Sequence, residues 1–515
     1  MPIHESNQPI DLLEIAEELL EAQKKELIKE KRREEMMEGP EGEEKRNFRD
    51  YDQSQIYYVA VQFREFLEPE HPARVIDAVI ERIDLSEIYE SYSEEGNPPY
   101  HPKMMLKVLF YAYHKGVMSC RQIWDALEHR SDFIFLSAGQ VPNFRTVNAF
   151  RLRHLGALPQ LFAQIVFMCV QLGMVDLGYL AIDGQKIQAN ASFRKSKNLK
   201  GLEKEYRKVR GGIKKLVEKE VSEDFPLEVQ QKRLGRLEEK AAELEEFQKE
   251  LEALGDEEKR LNMSDEDAPV MRHKDGRSLS SYNHQSATDS KYGVVCAVGT
   301  TQNSDQPGDL LPLVDKAKEN TGGEHKQVVA DSGFADYEVL EKVEEERSED
   351  FYLPDRRYEA SQKKPGEKGK LSKEQFERKE DGSIVCPAGH VMEYKRTTNY
   401  EDGHQMHDYE GTLCKSCALH DRCTKRKTRI ITIDSREKYR DSMREKLSSE
   451  RGREVYMKRQ GLAEPLHGDD QRNKGWKQHH LRGLEKAAGE FLLIRIATNL
   501  GKMIRYRSPE ILSPA

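Results

Sequence analysis

Apolar residues recur at helical spacing through the first third of the chain, and the spacing changes abruptly after Gly173. Leu12, Leu13, Ile15, Leu19 and Leu20 fit one helix face over residues 11 to 37, which then dissolves into charge before Gly39-Pro40 and reads as a helix fading into a flexible linker. From Tyr57 to Gly173 the helical period dominates. Pro102 predicts a helix start and Gly116 its end, Ser119 can cap the next helix, Pro142-Asn143 precedes another, and Pro159 opens a last one closing at Gly173. One of these helices carries Arg145, Arg151, Arg153 and His154. Its basic face is either a helix-turn-helix contact surface or the solvated side of a plain bundle.

Beyond Gly173 the short apolar run Leu177 to Ile182 ends in Asp183-Gly184, the pattern of a buried strand with a carboxylate at its end. Ser280 to Thr301 alternates and is rich in β formers, predicting two strands with a turn near Asp289 to Tyr292. Leu310 to Lys318 reads as a helix, and Gln327 to Ala330 as a strand ending in Asp331-Ser-Gly. The order strand, hairpin, helix, strand predicts a mixed α/β core. Two segments interrupt it. Residues 199 to 262 are charged, with heptad-like steps at Leu237, Leu244 and Leu251, the pattern of an antiparallel helical hairpin serving as an exposed packing or dimer arm. Residues 346 to 430 form a second insertion with a Lys/Gly-rich loop and four clustered cysteines. Leu484 to Met503 is a strongly apolar helix that closes the core.

The expected organisation is therefore a charged segment at 1–45, a helical DNA-binding-type domain at 46–172, and a core assembled from 173–198, 270–345 and 455–505. A helical hairpin at 199–265 and a second insertion at 346–454 interrupt that core. At 515 residues the chain is long enough for several folded units. No apolar run approaches the ~18 to 20 residues of a spanning helix, and the N-terminus lacks a secretory pattern, so a cytoplasmic protein without membrane partners is expected. The net charge of −9 does not by itself suggest a nucleic-acid binder. Its distribution matters more: acid concentrates in residues 11 to 45 and 199 to 262, whereas 425 to 482 is rich in Lys and Arg.

Two strand-end carboxylates, Asp183 and Asp331, are placed where side chains leave a sheet edge for a cleft, although such residues also serve as caps and turns. Carboxylates from separate segments suit magnesium, and a pair of such ions about 3.5 to 4 Å apart supports phosphodiester cleavage and joining. For a third carboxylate the C-terminal region offers Glu450, Glu454, Glu464, Asp469, Asp470, Glu485 and Glu490. Glu464 has the best context, following Tyr456 and Arg459 at helical steps, and the alternative for Glu464-Pro465 is an exposed helix start. Of the seven cysteines, Cys120, Cys169 and Cys296 sit singly in apolar contexts and read as core residues. Cys386, Cys414, Cys417 and Cys423 cluster as C-P-A-G-H and C-x2-C-x5-C, with His390 as a spare ligand. They form either a structural zinc site or a reduced cluster that packs the insertion.

Several segments taken together resemble the transposases of IS1182-group insertion sequences, related to the IS4/IS5-like DDE set. They are RQIWDALEHRSDFIFLSAG with PNFRTVNAFRLRHL, AIDGQKIQANAS, SYNHQSATDSKYG, VVADSGFAD, CPAGH with CKSCALHDRC, and GREVYMKRQGLAEPLHGDDQRNKGWKQHHLRGLEKAAGEFLL. The resemblance runs from about residue 50 to 505 in order and spacing. It implies an RNase H-like core with Asp183 on the first strand, Asp331 after the fourth and Glu464 on a later helix, together binding Mg2+. It also implies that Tyr456 and Arg459 contact DNA phosphates within a tyrosine, arginine, glutamate, lysine signature. Gln471 stands where the signature lysine is expected, leaving Lys474 as the candidate replacement, and HGDDQ departs from the apolar sequence usual there. The implied activity is cleavage at terminal inverted repeats and strand transfer into target DNA by a homodimer in a synaptic complex. The alternatives are a domesticated DNA-binding protein that no longer cuts, or another RNase H-like nuclease.

Overall fold

The computed structural model describes residues 62–93, 98–218, 226–253, 260–304, 307–355, 371, 373–379 and 381–513. The segment expected to be charged and helical at 1–45 lies outside the described residues. All the described residues belong to the unit that begins at Val61.

Among the described residues the five longest helices before the first long strand are α1 (Pro72–Glu81), α2 (Pro102–His114), α3 (Cys120–His129), α4 (Phe144–Arg153) and α5 (Leu158–Gln171). Their starts follow local chemistry. Proline occupies the first turn of α1, α2 and α5, where an N–H would lack a partner anyway. The Asn143 side chain caps α4 by accepting from the backbone N–H groups of Arg145 and Thr146 at 2.9 and 3.0 Å. Gly116 ends α2 at φ +72°, and a Cβ there would press on the backbone of Lys474 at 3.2 Å. The basic face expected on α4 does not exist as a whole. Arg151 is buried and donates to the Tyr113 hydroxyl at 3.0 Å and to Asn148 at 2.7 Å. His154 is buried too and meets the Tyr92 hydroxyl. Arg145 and Arg153 remain exposed.

The central sheet contains β1 (Tyr179–Gln188), β2 (Val270–Arg272), β3 (Ser278–Asp289), β4 (Val295–Thr301), β5 (Gln327–Val329) and β6 (Asp350–Tyr352). Its main path runs β4, β3, β1, β5, β6, and β2 pairs with the start of β3. The first three long strands are antiparallel, while β5 runs parallel to β1 and β6 parallel to β5. β6 is the sheet edge and lies inside the stretch expected as the second insertion, so that insertion starts after it. β3 also differs from the alternation read in the sequence. It is buried at nearly every position, because strands flank it on both sides and other elements cover both faces. Its polar side chains find internal partners: Asn283 donates to the Asn303 carbonyl and Gln285 to Asp309, both at 3.0 Å.

Between β4 and β5 runs α8 (Leu310–Thr321); between β1 and β2 stand α6 (Leu199–Val217) and α7 (Leu227–Ala253). The latter two pack through Leu202, Val209, Leu244, Phe247 and Leu251 as the expected hairpin arm. A clasp closes its base. Ser196–Lys197 pairs with Leu261–Asn262, and Asn262 Nδ2 donates to the Ser192 carbonyl, Ser196 Oγ and Ser280 Oγ at 2.8, 2.8 and 3.1 Å. After β5 come α9 (Tyr337–Glu346), then a five-stranded antiparallel sheet formed by β7 (Glu377–Arg378), β8 (Ile384–Val385), β9 (Val391–Asn399), β10 (Gln405–Glu410) and β11 (Ile430–Asp434). The chain then runs through α10 (Glu437–Ser448), α11 (Glu450–Gly468) and α12 (Leu484–Leu512).

α12 is the spine of the unit. It contacts α1, α2, α5 and β4 and buries almost every residue from Ala487 to Leu500. Cys169 and Cys296 are core residues as expected, and Cys120 packs against the same core. Among the described residues no single helix is long and apolar enough to cross a membrane. Glu490 of α12 is wholly buried and satisfied by His479, which contacts it at 3.0 Å, and by the ring and backbone N–H of His480 at 2.7 and 3.0 Å. His479 in turn meets His284 of β3 at 2.9 Å, and His284 meets Thr300 Oγ1 at 2.9 Å. Burial, with His479 and Arg495 nearby, pushes His284 well below the ordinary imidazole range, so it is neutral and relays hydrogen bonds. This chain of polar contacts ties the spine to the sheet.

Burial alone would raise the Glu490 carboxyl, but the hydrogen bonds from His479 and His480 outweigh it and hold the group at about 2 against an ordinary 4.5. A depressed carboxyl contributes stability that is complete above its unfolded value and is lost as pH falls through its folded one. Glu490→Ala should therefore lower the unfolding free energy by about 3 to 5 kcal/mol near neutrality, the cost of leaving buried donors unpaired. The gap between wild type and variant should stay full above pH 4.5 and close as pH falls towards 2, which denaturant titrations at a series of pH values would read.

Candidate active site

Asp183 and Asp331, distant in sequence, are brought together by strand register. β1 and β5 pair in parallel with Leu180 opposite Val328 and Ala181 opposite Val329. Each aspartate lies two residues beyond the last pair, so both emerge at neighbouring positions of the same sheet end. Asp331 is half-buried in a tight turn that its own Oδ1 secures by accepting from Gly333 N–H at 2.9 Å. Asp183 is buried on β1 opposite Ser286 of β3.

α11 supplies the other wall. Arg459 Nη1 lies 3.3 Å from Asp183 Oδ1, and His467 Nε2 lies 3.0 Å from Oδ2. The second ring nitrogen of His467 rests on the Gln185 side chain. Burial would raise the Asp183 carboxyl, but the His467 hydrogen bond and the charges of His467, Arg459 and Lys274 win and hold it below the ordinary carboxylate range. For Arg459, burial opposes its charge while Asp183, Tyr456 and Asp331 raise its pKa. One guanidinium thus answers to both aspartates. Tyr456 lies partly buried against the core, its ring 5.7 Å from the Arg459 guanidinium. Lys274 stands at the exposed turn between β2 and β3, whose base is braced by Lys186 donating to the Arg272 carbonyl at 3.2 Å.

Glu464 is not among these contacts. It is exposed, accepts from Gln460 of its own helix at 2.8 Å, and lines an open depression with Met457, Gly461 and Arg472. Helical phase explains this: Arg459 and His467 span an arc of about 80°, and Glu464 lies about 100° from its middle. Pro465 sits inside α11 rather than at a helix start. Two features loosen the helix around Glu464. Pro465 removes one backbone donor, and Asp469–Asn473 continues as a π-helical turn.

Lys474, expected at the phosphate, is committed elsewhere. It is buried, pairs with Asp469 at 2.8 Å and Asp470 at 3.6 Å, and donates to Thr498 at 2.8 Å. Asp470 is fully buried against Arg495, whose Nη1 donates to it at 3.1 Å. Neither is free to serve in a cleft. Gln471 lines the same depression as Glu464. Two groups at the site were not anticipated from the sequence: His467, signalled only by the unusual HGDDQ stretch, and Lys274, for which no signal stood out.

The cysteines form a separate locus. Cys386, Cys414, Cys417 and Cys423 line one small cavity together with His390 and His420, and all four thiols are free. The Cys423 thiol is pushed up by burial and by the other three cysteines, against the opposing charge of Arg429. Backbone N–H groups of Arg429 and Leu419 point at the sulfurs of Cys414 and Cys417, each at 3.4 Å. Among the described residues no three His, Cys, Asp or Glu side chains stand close enough to hold one metal ion, at this locus or around Asp183.

Two family matches bear on this arrangement. Residues 385–504 match the Transposase DDE domain, and residues 61–153 match the Transposase domain (DUF772). The first covers the cysteine locus, α11 and most of α12, including Glu464; the second covers α1 to α4; Asp183 and Asp331 lie in the unmatched stretch between them. No curated protein and no solved structure matches the chain. The DDE match implies an RNase H-like core, consistent with the mixed sheet that carries the aspartate pair. The chain thus carries one transposase-type domain in sequence on each side of that sheet, an arrangement consistent with a DDE transposase of the IS1182-like group.

Proposed function

We propose that the protein cuts DNA at the terminal inverted repeats of an insertion sequence and joins the freed ends to target DNA. Asp183, Asp331 and Glu464 are the proposed carboxylates for Mg2+. The observation that carries this reading is the parallel register that sets Asp183 and Asp331 side by side at one sheet end. Their oxygens fit a hard divalent cation. Bound there, such ions supply Lewis acidity and activated water for attack on phosphorus. Glu464 joins them through a turn of α11, for which Pro465 and the π-helical turn leave the helix loosely laddered. Arg459 orients Asp183, and His467 fixes its second oxygen, so the carboxylate is pre-set before substrate arrives. Lys274 meets backbone phosphates at the rim. Synapsis of two ends calls for two copies of the chain, with Tyr456 and Arg459 nearest the scissile strand.

The orientation of Glu464 favours one competing reading, a DNA-binding descendant that no longer cuts. Purified protein incubated with Mg2+ and the DNA flanking its own gene separates the two. Cleavage is expected for the wild type and a loss of at least about 100-fold for Asp183→Asn or Asp331→Asn, since each removes a charge that holds metal. End binding should persist in both, because phosphate contacts elsewhere carry affinity. Glu464→Gln should cut as poorly as they do; a normal rate in that variant removes Glu464 from the triad, and a wild type that binds without cutting establishes the descendant.

The four cysteines that line one cavity, Cys386, Cys414, Cys417 and Cys423, are proposed to draw closer than they stand here around a structural Zn2+, with N–H groups already aimed at two of the sulfurs. Elemental analysis of purified protein should find one zinc per chain, lost in Cys414→Ser together with thermal stability. Zinc-free protein of normal stability would leave the cysteines as packing.

A further inference from the structure

Around the cysteine cavity the chain runs TLCKSCALHDRCTKRKTR, in which Asp421 is the lone acid from Thr412 to Arg429. Lys415, Arg422, Lys425, Arg426 and Lys427 are all exposed, and none forms an ion pair among the described residues. The neighbouring sheet behaves differently. Lys395 pairs with Glu410 at 2.7 Å, Arg396 with Asp408 at 2.8 Å, and Arg436 with Asp434 at 3.0 Å. These sheet cations are matched, and those of the cysteine-bearing segment Thr412–Arg429, here called the knuckle, are not.

The knuckle is also braced. The short helix His420–Cys423 is pinned to the following loop by His420 Nε2 against the Arg426 carbonyl at 3.1 Å. The segment Cys414–Arg429 is held by the two N–H to sulfur contacts, and Arg422's carbonyl accepts from Leu371 N–H at 2.8 Å. Five like charges on a fixed platform repel one another, an arrangement that is costly alone and favourable against a polyanion. On a chain of net charge −9, it is a concentrated site for one.

We infer that this knuckle is a docking surface for the phosphate backbone of duplex DNA, separate from the aspartate pair; the inference rests on the proposed function for its choice of polyanion. Arg and Lys without base-reading partners give sequence-independent contact, so the surface adds affinity and register rather than recognition of a motif.

Binding of a fluorescein-labelled duplex of random sequence, followed by anisotropy across a salt series, tests it. For the combined variant Lys425→Ala, Arg426→Ala, Lys427→Ala, the slope of log K against log salt should become shallower by about 2 to 3. The charge-preserving variant Lys425→Arg, Arg426→Lys, Lys427→Arg should keep the wild-type slope, which separates lost charge from lost folding. An alanine variant with the wild-type slope, while wild type binds and cuts, overturns the inference and leaves the functional reading intact. A wild type that binds no duplex overturns both. Poly-glutamate binding as tightly as DNA, with the same loss in the alanine variant, would assign the knuckle to an acidic protein and overturn it as well.

Discussion

Everything at the candidate site depends on a short parallel pairing. Tyr179 to Ala181 against Gln327 to Val329 is a brief ladder, and closing so long a loop costs entropy before any contact repays it. What repays it is burial. Leu180, Val328 and Val329 are inaccessible to solvent, and β6 extends the parallel run on the far side. A slip of one residue would turn every side chain of β5 to the opposite face, so the register is as firmly specified as the core itself. The position of Asp331 relative to Asp183 is thus a property of the hydrophobic core and owes little to the two carboxylates, which would repel each other.

The repulsion is answered from outside the sheet. Arg459 and His467 both reach Asp183 from α11, and Arg459 also senses Asp331. That helix is buried at few positions, among them Val455 and Leu466, whereas α12 is buried along most of its length and its polar links run inward through Glu490 to β3. The molecule therefore sets a pair of acids at one sheet end against a wall of counter-charges carried on a separate helix. Divalent ions at Asp183 would compete with Arg459 and His467 for the same oxygens.

Much of this is legible in residue order, and the failures share a cause. Helix boundaries are legible where proline, glycine or asparagine imposes a backbone constraint: Pro102, Gly116, Asn143. The two strand-end aspartates are legible because apolar runs stop at Asp183-Gly184 and Asp331-Ser-Gly. Tertiary pairing is what escapes. β6 hides in the charged run before Tyr352, and β3 looks half-solvated because its polar residues are satisfied internally. Lys474 resembles a phosphate ligand in sequence but finds Asp469, Asp470 and Thr498. Arg151 reads as a surface charge and finds Tyr113. One clue exists for the Asp470 cluster: Arg495 stands alone in the apolar run FLLIRIATNL, and an arginine in such a setting requires a buried acid. The orientation of Glu464 is hidden for a different reason, since spacing on a helix gives its phase only once a neighbour such as His467 is known to face the cleft.

The clasp at the base of the hairpin arm has a consequence for how the protein tolerates change. Because Ser196–Lys197 and Leu261–Asn262 meet and Asn262 anchors them to Ser280, the arm leaves and rejoins the sheet at one point. Its 27-residue second helix spans about 40 Å, yet none of that length enters the register of β1 and β3. Adding or deleting whole heptads in both helices would change how far the arm reaches and leave its root unaltered. The arm is in effect a gauge of adjustable length on a fixed mount, and insertions there can accumulate without passing through an unfolded catalytic domain.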